Sequence, residues 1–391
     1  MGESHTYDTI VVGLGAMGSA TLLHLARRGQ HVLGLEQFAP GHTLGSSHGD
    51  SRIIRETYFE HPQYVPLVQR AHELWRDLEE TTGTSLMRIN GGLMIGPPDG
   101  MLITGTLRSA REHHLAHEVL SPDEVLARYP AFELAPNLVA VLDPRAGYLD
   151  PEACIRAHLE AARQGGASTR FDETMLSWAP DGDGLRITTS RATYLSERLV
   201  LAAGPWTCQL APELGLPLAI ERQTVFWFEP DARISYDEQS FPIYAYEFKP
   251  GTLCYGFPRL PRGVKASIMH DGASVSDPLN VVRTVGDTEV DALRIALRPI
   301  LPSLADARVR ETAVCLFTNT PDHDFLIDFH PRNPRVLISS PCSGHGFKFA
   351  SAIGELQADL LIDGTTRFDL SPFSLSRWSD ARVGSARSPA S

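Results

Sequence analysis

The sequence predicts an α/β plus β fold, in which a discontinuous α/β domain is interrupted by a mostly antiparallel β-sheet domain. Two observations carry this prediction. A strand, a glycine-rich turn, a helix and a second strand open the chain, whereas aromatic and β-branched segments dominate residues 220–318 before an α/β pattern returns. We therefore assign 1–84, 147–218 and 319–380 to the α/β domain, 85–146 and 219–318 to the β-rich domain, and 381–391 to a tail.

The composition is that of an ordinary globular chain of 391 residues with a formal net charge of −12. This charge argues against a nucleic-acid partner, because binding to phosphates needs a basic field. Five scattered cysteines show no metal-ligand spacing, so we predict no metal and free thiols in a reducing cytoplasm. The sequence has no run of about 18 apolar residues, so we expect no membrane-spanning segment.

The opening segment YDTIVVGLGAMGSATLLHLARRGQHVLGLE places three glycines between an apolar strand and a helix. Gly13 permits the tight turn, Gly15 lets a pyrophosphate approach the backbone, and Gly18 lets the helix pack close to the strands. Glu36 ends the second strand, where its carboxylate can accept hydrogen bonds from ribose hydroxyls and repel a 2′-phosphate. The segment therefore predicts a Rossmann-type domain that binds a dinucleotide other than NADP.

Further helices and strands follow from apolar spacing and from capping residues. We predict helices over 62–81, 121–130, 151–165 and 351–364, and strands over 88–95, with a glycine kink, 198–204 and 335–340. An NAD-dependent dehydrogenase more often keeps its nucleotide domain in one block. The return to an α/β pattern near the C-terminus therefore favours FAD as the dinucleotide.

The loop GSSHGDSRIIR over residues 45–55 has the glycines and serines of a segment that packs around a ligand, Ser46 among them. Arg52 and Arg55 are three residues apart, so on a helical turn both could face one cleft. One interpretation is a solvated surface loop. The other is a flavin-facing loop whose arginine binds a carboxylate through paired hydrogen bonds.

The segment SGHGFK is a second glycine-rich turn, followed by a helix. Backbone N–H groups around Gly344, Gly346 and Phe347 could reach the pyrimidine edge of a flavin. Lys348 begins the helix, where the dipole disfavours a cation, so an anionic partner becomes more plausible. Cys315 lies in the apolar segment VCLF, and composition alone predicts a buried core cysteine.

These segments together resemble the monomeric sarcosine oxidase and N-methyltryptophan oxidase family of FAD-dependent amine oxidases. The resemblance extends over residues 7–380. It rests on VVGLGAMGSA, GSSHGDSRIIRETY, YVPLVQRAHELW, ETAVCLFTNTPDHDFLID and SGHGFKFASAIGE. It implies that FAD is bound covalently, through a thioether between the flavin 8-methyl carbon and Cys315, whereas Cys342 does not match that position.

The resemblance also implies roles for other residues. Arg55 and Lys348 match the ligands of the substrate carboxylate, and Lys265 matches a lysine that helps to pass electrons to oxygen. Further matches are His48 and Arg52 near the flavin, and Tyr255, His270 and His345 in the substrate pocket.

Three features depart from the family pattern. The chain has Phe317 where the family often has tyrosine, and one extra residue separates Lys265 from His270. The segment PIYAYEFKPG, which we expect to line the substrate side, is individual to this chain. These departures bear on the side chain of the substrate, whereas the residues for its carboxylate are retained.

The implied reaction is oxidation of a secondary, N-methyl amino acid such as sarcosine by a monomer. It proceeds by hydride transfer to FAD, imine hydrolysis and reduction of O2 to H2O2. Three alternatives remain at this point. The protein could oxidise a cyclic secondary amine such as L-proline or L-pipecolate, act as an NAD(P)-dependent dehydrogenase, or serve as a non-catalytic flavoprotein sensor.

Overall fold

The computed structural model describes residues 6–378, so the predicted tail over 381–391 lies outside the described residues. The described residues form two units. The first contains the described residues of Met1–Ser46, Ile155–Ile220 and Phe317–Ser391. The second contains Ser47–Cys154 and Glu221–Leu316.

The strands of the described residues are numbered here in chain order. They are β1 Thr6–Val12, β2 Val32–Leu35, β3 Arg52–Ile54, β4 Met87–Ile89, β5 Gly92–Gly96, β6 Glu118–Leu120, β7 Val139–Asp143, β8 Gly147–Leu149, β9 Ser168–Arg170, β10 Met175–Asp181, β11 Gly184–Thr189, β12 Thr193–Leu201, β13 Ala219–Glu229, β14 Ile243–Lys249, β15 Thr252–Leu260, β16 Gly263–Ile268, β17 Ser274–Val275, β18 Arg308–Asn319, β19 Leu326–His330 and β20 Asn333–Ser340.

The α-helices of the same residues are numbered in the same way. They are α1 Ala16–Arg27, α2 Val65–Thr82, α3 Met101–Glu112, α4 Pro122–Arg128, α5 Pro151–Gln164, α6 Thr207–Leu210, α7 Asp287–Leu297, α8 Pro302–Ala305 and α9 Ala350–Asp363.

The first unit is built on a sheet in which the central strands are parallel. Its order is β10-β11-β12-β1-β2-β9, with β20 paired to β12 and β19 paired to β20. Strands β1, β2, β9, β12 and β20 pair in parallel, which is the pattern of a doubly wound α/β domain. Helices α1 and α9 pack against each other, since a Cβ atom on Gly354 would lie 2.5 Å from the carbonyl carbon of Ala20.

The second unit is built on a larger sheet with mostly antiparallel pairs. Its order is β17-β13-β16-β15-β14-β5-β7-β6, with β18 paired to β13. The pairs β13–β16, β14–β15, β15–β16, β5–β7 and β6–β7 are antiparallel, whereas β14 and β5 are parallel. A separate three-stranded sheet has the order β3-β8-β4.

The observed units differ from the predicted domains in two segments. Residues 47–84 and 147–154 lie in the second unit, although we predicted them for the nucleotide-binding domain. The reason is hydrophobic packing: Phe59 and Tyr148, one from each segment, lie in the same cluster as Met94 and Ile243 of the larger sheet. Packing between segments distant in the sequence is not visible in local apolar patterns.

Most predicted elements are present. The helix predicted over 62–81 is α2, preceded by a short 3₁₀ turn, and α4 begins with a capping box between Ser121 and Glu124. The strand predicted over 88–95 is interrupted, because Gly91 has a φ of 80° between β4 and β5. Helices α7 and α8 were missed in the segment over 220–318, where strand-forming residues dominate.

The strand β14 shows which part of PIYAYEFKPG faces Tyr255. Ala245 lies opposite Tyr255 in the pairing of β14 with β15, and both pack in the same hydrophobic cluster. Tyr244 and Tyr246 pack in the other cluster of the unit, with Cys254. Because side chains alternate along a strand, Tyr244 and Tyr246 lie on the opposite face of the sheet from Ala245, and the role of this segment in lining the substrate side stays a prediction.

Candidate active site

The turn between β1 and α1 holds backbone segments of the first unit closer together than any side chain would allow. Gly13 has a φ of 89°, and a Cβ atom there would lie 2.5 Å from the carbonyl oxygen of Ala202. A Cβ atom on Gly18 would lie 1.7 Å from the carbonyl oxygen of Gly13. Because only glycine fits both positions, the turn can present its backbone N–H groups to a ligand.

The N-terminus of α1 offers such N–H groups. Gly15 is the N-cap residue, makes no side-chain cap hydrogen bond, and is followed by a first turn without acidic residues. The helix is buried from Ala16 to Ala26, whereas Gly15 is partly exposed. Free N–H groups and the helix dipole favour a negatively charged ligand. These donors therefore fit the diphosphate of the predicted dinucleotide.

Glu36 ends β2 with a buried carboxylate that the backbone already engages. Its Oε2 accepts a hydrogen bond from the N–H of Leu14 at 2.9 Å, and its Oε1 accepts one from the N–H of Phe38 at 3.1 Å. Each oxygen can accept a second bond, so capacity for ribose hydroxyls remains. Glu36 thus connects the glycine turn to the end of β2, a structural role that was not predicted from the sequence.

The SGHGFK turn follows β20 in the same unit. Ser343 and Gly344 have positive φ angles of 47° and 75°. A Cβ atom on Gly346 would lie 1.8 Å from the carbonyl oxygen of Pro341, so only glycine fits there. The predicted flavin contacts at Gly344, Gly346 and Phe347 thus belong to a tightly constrained backbone, and their role stays a prediction.

Lys348 and His345 are both buried beside this turn. Lys348 Nζ donates a hydrogen bond to the carbonyl oxygen of His345 at 2.7 Å. His345 Nε2 lies 2.9 Å from the carbonyl oxygen of His323, and its ring stacks on Phe325 with centroids 4.9 Å apart. The ring of His345 is thereby fixed in orientation. The burial of Lys348 makes an anionic partner for its ammonium favourable.

Lys265 lies in β16 of the second unit, where backbone oxygens surround its ammonium. Nζ donates hydrogen bonds to the carbonyl oxygens of Gly49 and Ser51 at 2.5 and 3.0 Å, and lies 3.3 Å from Ser51 Oγ. The ring centroids of Phe257 and Trp227 lie 4.9 and 5.6 Å from Nζ. The side chain is 1% exposed, so its charge is held by the protein and not by water.

The pKa of Lys265 is lowered to about 7, because burial disfavours the charged form and Arg52 repels it. The sequence has only three lysines among 35 lysine and arginine residues, and two of the three are buried. Arginine does not lose its proton in proteins, so of these two residue types only lysine supplies a cation that can titrate near neutrality. Lys265 is therefore the strongest candidate for a catalytic cation.

Cys315 lies in β18 beside two predicted flavin contacts. Its Sγ lies 3.9 Å from His48 Nδ1, and Arg52 Nη2 lies 3.9 Å from the same sulfur. Burial alone raises the pKa of this thiol, but the hydrogen bond from His48 and the charges of His48, Arg52 and Lys265 outweigh it. The pKa of Cys315 is thus lowered to about 6, which favours the nucleophilic thiolate.

Arg55 is buried between two aromatic rings at the end of β3. Its Cζ lies 4.2 Å from the ring centroid of Tyr58 and 4.5 Å from that of Phe59. Nη2 forms an ion pair with Glu60 Oε2 at 2.6 Å, and Nη1 donates to the carbonyl oxygen of Thr57. The guanidinium is thus held in one orientation and already binds a carboxylate, the group that we predicted for it.

Tyr255 and His270 differ in their surroundings. Tyr255 lies in β15 opposite Ala245, and burial raises the pKa of its hydroxyl. His270 follows β16 with a φ of 57°, and its Nδ1 lies 3.1 Å from Glu221 Oε2. The sequence offered no signal for the contact between His270 and Glu221, because the two residues are 49 positions apart.

The second unit brings together four side chains that the sequence analysis took from three segments. They are His48, Arg52, Lys265 and Cys315. Ser46, predicted for the same loop, belongs to the first unit. Glu152 was not predicted from the sequence as part of this group. Its Oε1 accepts a hydrogen bond from the N–H of Gly49 at 2.6 Å. An acid in the first turn of a helix is ordinarily explained by the helix dipole.

Within the described residues, several buried polar atoms of the second unit have no hydrogen-bond partner. Among them are His48 Nε2, Asp50 Oδ2 and Trp227 Nε1. Such atoms are rare unless a ligand or water completes them. In the first unit, the uncapped α1 suits a diphosphate. The start of α1 therefore fits the diphosphate of FAD, and the buried polar atoms of the second unit are available to a ligand of that unit.

Comparison with known proteins agrees with this geometry. The model of a family described as FAD-dependent oxidoreductase matches residues 8–360. The chain therefore belongs to the FAD-dependent oxidoreductase family.

Known relatives narrow the class. Monomeric sarcosine oxidase of Streptomyces avermitilis is 42% identical over 375 residues, which cover 95% of this chain and 97% of the relative. N-methyl-L-tryptophan oxidase of Salmonella arizonae is 34% identical over 376 residues, which cover 95% and 99%. The solved structure of NikD, an unusual amino acid oxidase essential for nikkomycin biosynthesis, is 26% identical with a TM-score of 0.82, covering 94% and 97%. The predicted family and fold class are confirmed.

Membrane-spanning helices and metal-binding groups are both absent from residues 6–378. No helix there is long and apolar enough to cross a membrane. No group of three or more histidine, cysteine, aspartate or glutamate side chains there could hold a metal ion.

Proposed function

We propose that the protein is an FAD-dependent oxidase of a secondary amino acid, with sarcosine or another N-methyl amino acid as substrate and hydrogen peroxide as a product. The observation that carries the proposal is the buried Lys265, held by three oxygen atoms in a chain with only three lysines. The identity with monomeric sarcosine oxidase over almost the whole chain supports the substrate class.

The overall reaction balances in atoms and electrons. The amine loses two electrons and two protons to become an imine, which water hydrolyses to a primary amine and an aldehyde. FAD supplies the two-electron acceptor that connects this oxidation to the reduction of O2 to H2O2. For sarcosine the products are glycine and formaldehyde.

Arg55 is the residue that we assign to the substrate carboxylate. The rings of Tyr58 and Phe59 hold the guanidinium in one plane, which suits a two-point hydrogen bond with a carboxylate. Glu60 occupies this position in the described structure, so the substrate has to exchange with it. Orientation of the substrate by such a contact contributes to the rate by holding the reacting carbon in place.

Lys265 is the residue that we assign to the reaction with oxygen. A fixed cation stabilises the negative charge that develops on oxygen as it accepts electrons. The carbonyl oxygens of Gly49 and Ser51 hold the ammonium in place, so little reorganisation accompanies the reaction.

Cys315 is the residue that we assign to a covalent thioether with FAD. The support is chemical: a pKa lowered to about 6 makes the thiolate abundant at neutral pH. In contrast, burial raises the pKa of Cys342 to about 11, so that thiol is a poor nucleophile.

The other pocket residues keep their predicted roles as proposals. Lys348 is assigned to an anionic ligand, and Tyr255, His270 and His345 to the substrate pocket. We also propose that the enzyme acts as a monomer in the cytoplasm, a reducing compartment that suits its free cysteines.

The test is peroxide release from purified protein across a panel of sarcosine, larger N-methyl amino acids, L-proline and L-pipecolate. We expect peroxide with at least one N-methyl amino acid. Preference for L-proline or L-pipecolate would instead identify the substrate as a cyclic secondary amine. A yellow protein that releases no peroxide with any member would overturn the proposed substrate class and leave the FAD-dependent family unaffected.

A further inference from the structure

The loop that holds Lys265 contains a strained three-residue turn. The N–H of Ser51 donates a hydrogen bond to the carbonyl oxygen of Gly49 at 2.8 Å, across Asp50 with a φ of 66°. Gly49 also has a positive φ, of 98°. Three-residue turns with a positive central φ are rare and strained, so surrounding groups must stabilise this one.

Two charged side chains hold this turn from its two polar sides. On the acceptor side, Lys265 Nζ donates to the carbonyl oxygens of Gly49 and Ser51. On the donor side, Glu152 Oε1 accepts from the N–H of Gly49 at 2.6 Å, and the N–H of Asp50 lies 3.5 Å away. The residue Gly49 thus connects a carboxylate directly to the buried ammonium.

The charges around Lys265 come from four segments. Arg52 in β3 lowers the pKa of Lys265, whereas Cys315 in β18, Asp50 in the loop and Glu152 in α5 raise it. The rings on β13 and β15 that pack against the ammonium are uncharged.

The two carboxylates are not equivalent. Asp50 Oδ1 lies 3.2 Å from Nη1 of Arg262, which also pairs with Glu311 and stacks over Trp227. The negative charge of Asp50 is therefore shared with a guanidinium. Glu152 contacts backbone N–H groups through Oε1, and its Oε2 has no hydrogen-bond partner within residues 6–378.

We propose that Glu152 is a positioning residue for Lys265: it holds the 49–51 turn so that two carbonyl oxygens meet Nζ, and it places a negative charge on the donor side of the turn, opposite the ammonium. This inference rests on the proposed function of Lys265 in the reaction with oxygen. A purely structural role would depend on the hydrogen bond from Gly49 to Glu152 and not on the negative charge. Glu152→Gln keeps an acceptor oxygen and removes the charge, so it separates the two roles.

The first measurement is the titration of the Lys265 ammonium by NMR in holoenzyme with lysine labelled at Cε. With three lysines in the sequence, three signals are expected, and Lys265→Met assigns the relevant one. In Glu152→Gln we expect the titration midpoint to fall by about one pH unit. Glu152→Asp keeps the charge and should restore the midpoint. Glu160→Gln, an exposed change in the same helix, is the matched control.

The second measurement is the rate of reoxidation by O2, compared with anaerobic reduction by substrate. Because the charged form of Lys265 is the active one, a midpoint lower by one unit should slow reoxidation at pH 8 about tenfold. Reduction by substrate should change little. Glu160→Gln should leave both rates at the wild-type level.

An unchanged Lys265 midpoint in Glu152→Gln overturns the proposal, as does equal slowing of both half-reactions. If Glu152→Gln does not fold, Glu152→Asn gives the second test, since the smaller amide also removes the charge and keeps an acceptor oxygen. An unchanged Lys265 midpoint in Glu152→Asn would then overturn the electrostatic account. A wild-type enzyme without oxidase activity contradicts the proposed function instead, because the NMR titration reports on Glu152 and Lys265 without turnover.

Discussion

The two units build their candidate binding groups in different ways. In the first unit, the groups are the backbone N–H donors at the start of α1, after Gly15, and a turn in which only glycine fits at Gly13 and Gly18. In the second unit, they are buried charged side chains contributed by distant segments, with Lys265 and Cys315 at the centre.

Two kinds of physical constraint therefore operate in one chain: the space available to the backbone and the electrostatics of buried groups. A glycine turn depends on space, so any added Cβ atom disturbs it whatever its chemistry. A charged cluster depends on mutual electrostatics, so its members shift each other's pKa values. Changes at the glycines of the first unit should therefore alter stability and the binding of the diphosphate, whereas changes in the charged cluster of the second unit should alter the covalent link to FAD and individual chemical steps.

The largest effect is expected for the covalent link. Cys315→Ser should release all FAD upon denaturation, because a hydroxyl is not ionised at neutral pH and cannot form the thioether. Acid precipitation followed by absorbance of the supernatant measures the released flavin. Cys342→Ser is the control and should retain FAD in the pellet. Flavin still attached in Cys315→Ser would contradict the assignment.

Lys265→Met should slow reoxidation by oxygen about 100- to 1,000-fold, the usual cost of removing one group that stabilises developing charge. Anaerobic reduction by substrate should change much less, which stopped-flow absorbance of the flavin measures. Lys249→Met, at an exposed position, removes a lysine without touching the cluster. Equal slowing of both half-reactions would refute the role in oxygen activation.

Arg55→Gln should raise KM for the substrate about tenfold to 100-fold, because a charged, two-point contact with the carboxylate is lost. Glu60→Gln should lower KM instead, since the competing carboxylate is removed from Arg55. Steady-state peroxide release measures both. A KM that rises in Glu60→Gln would indicate that Glu60 positions Arg55 and does not compete with the substrate.

Gly13→Ala should destabilise the fold by about 3 kcal/mol, since it combines a positive φ with a clash against the backbone of Ala202. Gly29→Ala is a matched control, because Gly29 also has a positive φ, of 76°, but no atom lies within 4 Å of its added Cβ. It should cost about 1 kcal/mol. Urea unfolding and flavin content measure the difference, and equal losses would mean that the clash is relieved by a backbone shift.

The smallest effect concerns acid stability, to which one buried histidine of each unit contributes through a strongly lowered pKa. Burial and neighbouring positive groups lower the pKa of His158 in the first unit and of His72 in the second to about 3. The unfolded chain therefore binds more protons between about pH 6.5 and pH 3, and stability falls as pH falls through this range.

His158→Gln should remove about 1.4 kcal/mol of the acid-induced loss at pH 5.5, one pH unit below the ordinary pKa of histidine. His72→Gln should do the same for the second unit. Urea unfolding at pH 7.5 and pH 5.5 measures these slopes, with the exposed His114→Gln as control. If the control changes the slope equally, buried histidines are not the cause.

Local signals in the sequence were sufficient for much of the fold. The strand, turn, helix and strand around Gly13 and Gly18 occur where the spacing predicts them, and so do α2, α4, α5 and α9. The physical reason is that glycine conformations, caps and apolar periodicity act over a few residues. The resemblance to flavin-dependent amine oxidases then indicated Cys315, Lys265 and Arg55.

Tertiary structure alone decided how these residues meet. Glu152 reaches Gly49 across 103 positions of the sequence, and β3 pairs with β8 across a similar separation. Packing of Phe59 in one cluster with Met94 and Ile243 places residues 47–84 in the second unit and not in the predicted domain. The alternation along β14 turned Tyr244 away from Tyr255. Register, long-range strand pairing and the electrostatics of buried groups depend on the packed chain as a whole. Most residues of the candidate site could therefore be predicted from the sequence, whereas their contacts and pKa values depend on the fold.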